Sequence, residues 1–113
     1  MGFSFCECVS VELPVVLAPM GGAVGAKLAA AVSNAGGLGV LPLWSGEVKT
    51  LRKIVRQTKS LTSKPFAVNL NLDFPQEEHL DACLEEGVPI ISFFWGDPSL
   101  LVKRAKDAGA IVM

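Results

Sequence analysis

A polar amide inside an apolar stretch is the side chain in this sequence best suited to hold a ligand. Asn69 lies in Phe66-Ala-Val-Asn-Leu-Asn-Leu72, where every residue except the two asparagines is apolar. Burying an amide without a partner costs about 1–3 kcal/mol, so a partner is required. The pattern itself leaves the partner unidentified, and one candidate is neighbouring backbone at the strand end. Asn71 lies on the same face of a regular strand, or already in the following loop.

Two further segments could border a binding site. The apolar run 15–20 stops at Pro19 and opens into Gly21 and Gly22, where backbone groups could approach a ligand because no Cβ is in the way. The same glycines could simply form a strand-to-helix turn. The later sequence Ser92-Phe-Phe-Trp-Gly96 could wall a cavity for a small apolar substrate, although packing is the preferred interpretation for Phe93 and Phe94.

Five apolar runs position these residues, at 15–20, 38–43, 66–72, 88–95 and 110–113. Unbroken apolar character is typical of parallel strands that are covered on both faces. Each gap is long enough for one helix, which gives the order β-α-β-α-β-α-β-α-β with right-handed crossovers. Two α/β architectures share this order: a doubly wound sheet, and a (β/α)₈ TIM barrel of roughly 250 residues. As a barrel, the 113 residues supply about four βα units and the start of a fifth strand.

The four helices between the runs have recognisable faces and ends. We expect the first near 25–35, with Leu28, Val32 and Ala35 inward, and the second near 47–59, with its basic side chains in solvent. The third is expected near 76–86, ending at Gly87. The fourth starts at Asp97 and Pro98 and ends at Gly109.

Several classes of protein are disfavoured by composition and spacing. Ten basic residues balance 11 acidic ones, so counterion-driven binding of nucleic acid is not indicated. The apolar region 13–46 is cut by Pro19, Pro42 and two Gly-Gly pairs, which argues against a membrane-spanning helix. No G-x-G-x-x-G follows the first strand, which weakens a nucleotide-binding Rossmann fold.

The cysteines and the histidine do not form a metal or catalytic pattern. Cys6 and Cys8 have C-x-C spacing without a second pair, so no zinc site is expected. The one histidine, His79, follows two glutamates and is expected on a helix surface rather than as a base. Three cysteines without a recognisable signal peptide favour a reducing, cytoplasmic location.

Three separated motifs resemble the N-terminal part of the nitronate monooxygenase family, once called 2-nitropropane dioxygenases. They are Ala18-Pro-Met-Gly-Gly22, Leu28-Ala-Ala-Ala-Val-Ser-Asn-Ala-Gly-Gly-Leu-Gly39 and Lys64-Pro-Phe-Ala-Val-Asn-Leu70. The segment 87–98 also matches the family's fourth strand and the turn after it. The resemblance implies an FMN-dependent TIM barrel, with residues 1–113 as its N-terminal half, residues 1–12 as an extension and no second domain.

The resemblance also implies roles for individual residues. Backbone contacts to FMN fall on Pro19, Met20 and Gly21, and the asparagine that binds FMN falls on Asn69. Ser92, Trp95 and Gly96 would border the flavin or the substrate cavity. In the family, an alkyl nitronate is oxidised with FMN and O₂ to a carbonyl compound and nitrite.

No residue of this chain matches the family's catalytic histidine or its late phosphate-binding loops, so we expect no catalytic residue here and no turnover by the chain alone. Two alternatives stay open. One is a fragment of a flavin-dependent enoyl-acyl-carrier-protein reductase, since those enzymes share the first two motifs. The other is a non-catalytic half-barrel that associates with itself or with a complementary half through open strand edges.

Overall fold

A four-stranded parallel sheet forms the centre of the molecule, seen in a computed structural model that describes residues 4–113. The strands are β1 (Gly39–Pro42), β2 (Phe66–Asn71), β3 (Ile90–Phe94) and β4 (Ile111–Val112), and they lie side by side in chain order. These strands confirm the predicted runs at 38–43, 66–72, 88–95 and 110–113.

Within residues 4–113, five helices accompany the sheet: α1 (Phe5–Val9), α2 (Ala26–Asn34), α3 (Val48–Leu61), α4 (Glu77–Glu85) and α5 (Ser99–Asp107). Helices α3, α4 and α5 each join two neighbouring parallel strands. A doubly wound sheet reverses its strand order at a switch point, whereas these strands run in sequence without reversal. The fold is therefore α/β and corresponds to part of a (β/α)₈ TIM barrel.

The run 15–20 does not form a full strand, and this part of the prediction was wrong. It pairs with the sheet at one parallel bridge, Val16 to Leu38, where the amide of Leu17 donates to the carbonyl of Leu38 at 2.9 Å. The segment lies at the edge of the sheet and has a neighbour on one side only. Pro19 then removes a donor and the glycine turn begins, so the ladder ends after one bridge.

The two faces of the sheet bury different sets of residues. Leu41, Val68 and Ile91 face the helices in the larger core cluster. The alternate positions form the other face, called the inner face below, whose first part holds Leu38, Val40, Ala67 and Ile90. Val9 packs onto that part with Phe5 and Val11 beside it, so α1 covers the N-terminal end of the inner face. The predicted extension 1–12 thus packs against the sheet, although residues 1–3 lie outside the described residues.

Helix α2 turns a different face to the sheet from the one predicted. Ala26, Ala29, Ala30 and Ser33 are buried, whereas Leu28 is 43% exposed and Ala35 is exposed. The reason is the close approach of α2 to β1, where a Cβ on Gly39 would lie 2.1 Å from the carbonyl oxygen of Ala29. Only small side chains fit into that contact.

The basic side of α3 contacts α4 and is not purely a solvated face. Arg56 donates through Nε and a terminal nitrogen to the two carboxylate oxygens of Glu86, at 2.9 and 2.8 Å. Arg52 binds Glu86 at 3.0 Å and also pairs with Glu85. These hydrogen bonds from Arg56 and Arg52 lower the pKa of Glu86 to about 2. The cluster joins two neighbouring helices on the outside of the sheet.

Candidate functional site

Two polar side chains meet on the inner face near the carboxyl ends of the strands. Strand register places Asn69 of β2 beside Ser92 of β3, and Asn69 Nδ2 donates to Ser92 Oγ at 2.9 Å. Asn69 is only 3% exposed, and its Oδ1 atom is buried without a hydrogen-bond partner among the described residues. The carboxyl end of parallel strands is where α/β barrels place their active groups. An acceptor at this position is therefore open to a donor from a ligand or from an ordered water.

Asn71, two residues further along β2, has a local structural role. Its Oδ1 accepts a hydrogen bond from the amide of Asp73 at 2.9 Å, and its carbonyl accepts one from Phe74. Such an Asx turn satisfies the backbone where the strand ends. Asn71 is the last residue of β2 and lies on the same face as Asn69, whereas Asn69 bonds to the side chain of Ser92 and not to backbone at the strand end.

Three aromatic rings form a connected group at the same carboxyl edge. The ring of Phe94 lies between the two indoles, with its centroid 5.4 Å from Trp44 and 5.2 Å from Trp95, in edge-on geometry. Phe93 points to the helices and packs against the main core, which confirms packing for that residue. Phe94 also packs, but against Trp44 and Trp95 at the candidate site.

Trp95 and Gly96 form the turn that leaves β3. Both have positive φ angles, 57° and 60°, and Trp95 is 66% exposed. A Cβ on Gly96 would lie 2.7 Å from the Cβ of Leu72. Gly96 is therefore required by the close passage of the two loops, and the Trp95 ring lies at an open edge of the site.

The segment Pro19-Met20-Gly21 lies on the first-strand side of this edge, with all three residues exposed. The carbonyl of Met20 accepts hydrogen bonds from the amides of Ala23 and Val24, at 3.0 and 3.1 Å, which closes a turn. A Cβ on Gly21 would lie 3.2 Å from Cζ2 of Trp44. Gly21 thus allows the indole of Trp44 to lie against the turn.

Two residues at the start of α4, its N-cap Gln76 and His79, were not predicted at the site and hold the loop containing Trp44. Gln76 Nε2 donates to the carbonyl of Trp44 at 3.0 Å, and His79 Nε2 lies 3.0 Å from the carbonyl of Gly46. His79 is half-buried and contacts backbone, rather than lying free on the surface. A glutamine directly before an acidic helix looks solvent-exposed in sequence, so only its contact reveals the role.

The motif ending at Gly39 serves packing at the opposite end of the sheet. Ser33 Oγ accepts from the amide of Gly39 at 3.0 Å and donates to the carbonyl of Pro65 at 2.8 Å. Asn34 Nδ2 donates to the carbonyl of Leu61 at 3.0 Å. These bonds join α2 to β1 and to the connection between α3 and β2, away from Asn69.

Residues 4–113 contain no cluster of three or more histidine, cysteine or acidic side chains that could hold a metal ion. In the same part of the chain, no helix has both the length and the apolar character needed to cross a bilayer. Cys6, Cys8 and Cys83 are all free thiols. Burial raises the pKa of the Cys83 thiol to about 12, so this thiol is an inert part of the core.

The fold is part of a (β/α)₈ barrel, and polar and aromatic side chains lie where its strands end. Residues 4–82 match the nitronate monooxygenase family model, and the chain belongs to this family, which consists of flavin-dependent enzymes. The fold class implied by the sequence motifs is thereby confirmed.

Three relatives illustrate the range of similarity. The chain is 36% identical to the (3aS,4S,5R,7aS)-5-hydroxy-7a-methyl-1-oxo-octahydro-1H-indene-4-carboxyl-CoA dehydrogenase of Mycobacterium tuberculosis, over 95% of this chain and 30% of that protein. It is 34% identical to a nitronate monooxygenase of Pseudomonas aeruginosa, over 88% of this chain and 29% of that protein. The solved structure of FabK from Thermotoga maritima superposes with a TM-score of 0.90 at 34% identity, covering 95% of this chain and 35% of that one. The chain thus spans about a third of the length of these relatives.

Proposed function

We propose that this chain forms the flavin-contacting N-terminal part, residues 1–113, of an FMN-dependent barrel oxidoreductase whose substrate is a small alkyl nitronate. The observation that supports this most directly is the Oδ1 atom of Asn69 near the carboxyl end of β2, which is buried without a partner in the described part of the chain. A buried acceptor of this kind costs about 1–3 kcal/mol unless a ligand or an ordered water supplies a donor.

The residues at this edge fit a flavin ring. The isoalloxazine carries an N–H donor beside two carbonyl acceptors, on a flat and mostly apolar body. Asn69 Oδ1 can accept from the ring N–H, and the exposed backbone at Pro19, Met20 and Gly21 can approach its edge because Gly21 has no side chain. Bound flavin would supply the electron acceptance that the protein side chains lack.

The substrate side of the proposed site is formed by β3 and its turn. Ser92 orients the Asn69 amide through the 2.9 Å hydrogen bond. Trp95 and Gly96 border the open edge, where the indole offers an apolar surface and Gly96 leaves the backbone accessible. These features suit a small substrate with an apolar alkyl part.

Proton transfer is not provided by the described part of the inner face. Its carboxyl half holds amides, a hydroxyl and aromatic rings, at Asn69, Asn71, Ser92 and Phe94, and none of these titrates near neutral pH. His79, the only histidine, contacts the carbonyl of Gly46 instead. We therefore assign no catalytic residue within this chain and expect no nitronate turnover from the 113 residues alone.

A second candidate substrate is an acyl thioester, as in the enoyl-acyl-carrier-protein reductase alternative. It is favoured by the 36% identity to a protein named as a carboxyl-CoA dehydrogenase and by the 0.90 TM-score to FabK. The same flavin site would serve either substrate, so the two candidates differ in the substrate cavity and share Asn69.

Self-association through the open barrel edges is a third, non-catalytic candidate, with the chain in the cytoplasm. Val16 at one edge of the sheet and Ile111 and Met113 at the other are apolar and exposed. Edges of this kind favour pairing with another chain.

The test is size-exclusion chromatography with light scattering on the 113-residue chain, with flavin absorbance recorded after incubation with FMN or riboflavin. We expect flavin to co-elute with the chain. Asn69→Leu should lose the flavin while its free energy of unfolding changes by less than about 1 kcal/mol, because the substitution also removes an unpaired polar atom. Asn34→Leu makes the same chemical change at the other end of the sheet and should retain flavin.

A chain that elutes without flavin in every sample would overturn the proposed flavin site. If flavin binds, its absorbance spectrum should change on adding propyl-2-nitronate. A change with an acyl-CoA and none with the nitronate would favour the second substrate. An oligomer without flavin would favour the association candidate.

A further inference from the structure

The first turn of α4 holds the loop after β1 at two points. Gln76 donates its side-chain N–H to the carbonyl of Trp44, and His79 Nε2 contacts the carbonyl of Gly46, each over 3.0 Å. Because a carbonyl oxygen only accepts, the His79 contact requires a proton on Nε2. The two side chains are three residues apart and lie on one side of the helix. We call this pair of contacts the Gln76–His79 clamp.

Gln76 does not perform the usual task of its position. It is the N-cap residue of α4, where a side chain normally accepts a hydrogen bond from the first turn, yet it makes no such bond. Gln76 is 1% exposed, and its Oε1 atom is buried without a partner among the residues that the structure describes. A buried glutamine that neither caps its helix nor pairs both ends of its amide is unfavourable on local grounds. The hydrogen bond to the carbonyl of Trp44 is therefore the interaction that accounts for a glutamine at this position.

Trp44 connects the clamp to the candidate site. The Gln76 bond holds the backbone of Trp44, and the indole then lies against Gly21 on one side and Phe94 of β3 on the other. The loop after β1 is thus kept between the first-strand turn and the end of β3. Without the clamp, two exposed neighbours, Ser45 and Gly46, offer little to fix the loop.

We propose that Gln76 is a positioning residue that fixes Trp44 against Gly21 and Phe94 and so preforms the edge of the flavin site. The expected effect of Gln76 on ligand binding rests on the proposed function. Its effect on Trp44 can be measured without ligand. Preformed contact surfaces raise affinity because less ordering is needed on binding.

The experiment uses a Trp95→Phe chain, in which Trp44 is the remaining one of the two tryptophans. Gln76→Met in this background removes the hydrogen bond at similar side-chain length. Gln57→Met is the matched control, since Gln57 is exposed on α3. The readouts are the Trp44 emission maximum, its quenching by acrylamide, the thermal unfolding midpoint and the riboflavin Kd.

We expect Gln76→Met to shift Trp44 emission to longer wavelength, to increase acrylamide quenching and to raise the riboflavin Kd about three- to tenfold, as the loss of one hydrogen bond predicts. His79→Leu should act in the same direction, and it serves as the test if Gln76→Met does not fold. Gln57→Met should match the reporter chain in every readout.

Unchanged Trp44 emission and quenching in the folded variants would overturn the positioning role, even with a lower unfolding midpoint, because a purely structural residue predicts that pattern. Altered Trp44 emission in the Gln76→Met chain, together with no riboflavin binding by the chain that keeps Trp95, would instead refute the proposed flavin site and leave the clamp's action on Trp44 supported.

Discussion

Gly39→Ala should destabilise the protein strongly, because the new methyl group collides with backbone. A Cβ at Gly39 would lie 2.1 Å from the carbonyl oxygen of Ala29 and 2.7 Å from Ser33 Oγ. The carbonyl belongs to α2, so relief requires the helix to move away from β1. A side-chain rotation cannot provide it.

The expected magnitude has two parts. Overpacking of this kind typically costs about 1–3 kcal/mol. Moving α2 also strains the bonds of Ser33 to the Gly39 amide and to the Pro65 carbonyl, and a buried group left unpaired costs about 1–3 kcal/mol. Together they predict a loss of about 2–6 kcal/mol, a large share of the stability of a small domain.

Urea unfolding followed by circular dichroism measures this loss. The control is Gly25→Ala, because no atom lies within 4 Å of a Cβ at Gly25 and its φ of −120° suits any residue. Gly25 is the N-cap of α2, so the control should cost no more than about 1 kcal/mol. If Gly39→Ala unfolds within about 1 kcal/mol of the control, the packing explanation for the Gly39 motif is refuted.

Three further predictions concern charge, thiol reactivity and the site. The pKa of Glu86 is lowered to about 2 by Arg56 and Arg52, so its stabilisation is present above the unfolded value near 4.5 and is lost as pH falls toward 2. The difference between the urea midpoints at pH 6 and pH 3 should therefore be smaller in Glu86→Gln than in the unsubstituted chain. It should be unchanged in Glu78→Gln, an exposed control on α4; equal pH dependence in both variants would contradict this. A thiol reagent at pH 8 should label exposed Cys8 rapidly and buried Cys83 only at the rate of unfolding, because burial raises the Cys83 pKa to about 12; rapid labelling of all three thiols would refute the buried position. A Cβ at Gly21 would lie 3.2 Å from the Trp44 ring, so the side chain introduced by Gly21→Val should displace that ring. The near-ultraviolet circular dichroism of Trp44 should weaken at little cost in stability; an unchanged spectrum would show that the turn and the ring do not touch.

The sequence predicted most of the strands because parallel strands buried on both faces need continuous apolar runs. The run 38–43 contains β1 and the run 66–72 contains β2. The run 15–20 has the same character but lacks a second neighbour, and it pairs at one bridge. Composition does not distinguish an edge from a centre, so this difference depends on the tertiary arrangement.

Helix α2 shows where periodicity fails. Its sequence is rich in alanine, so more than one face satisfies a helical repeat of apolar residues, and Leu28 suggested the wrong one. The face that packs is chosen by the distance to Gly39, which belongs to another element. A rule based on side-chain hydrophobicity cannot include that distance.

The candidate site was predictable where chemistry contrasts with its surroundings. Asn69 stands out because it is an amide among apolar residues, and its unpaired Oδ1 agrees with the need for a partner. Gln76 precedes the acidic start of a helix, so its sequence context suggests solvent although it is buried. Its contact with Trp44 joins residues 32 positions apart, and no local pattern encodes it.

The packing of α1 on the inner face bears on the order in which the chain folds. Val9 precedes all four strands in the sequence, yet it is buried in one cluster with residues as distant as Ile90. Docking of Val9 must follow the formation of β1, β2 and β3. Closing a loop over so many residues costs conformational entropy, and only burial against the completed sheet offsets that cost. Until then the apolar side chains of α1 and of the inner face are both open to other chains, which makes this interval of folding the one in which aggregation competes.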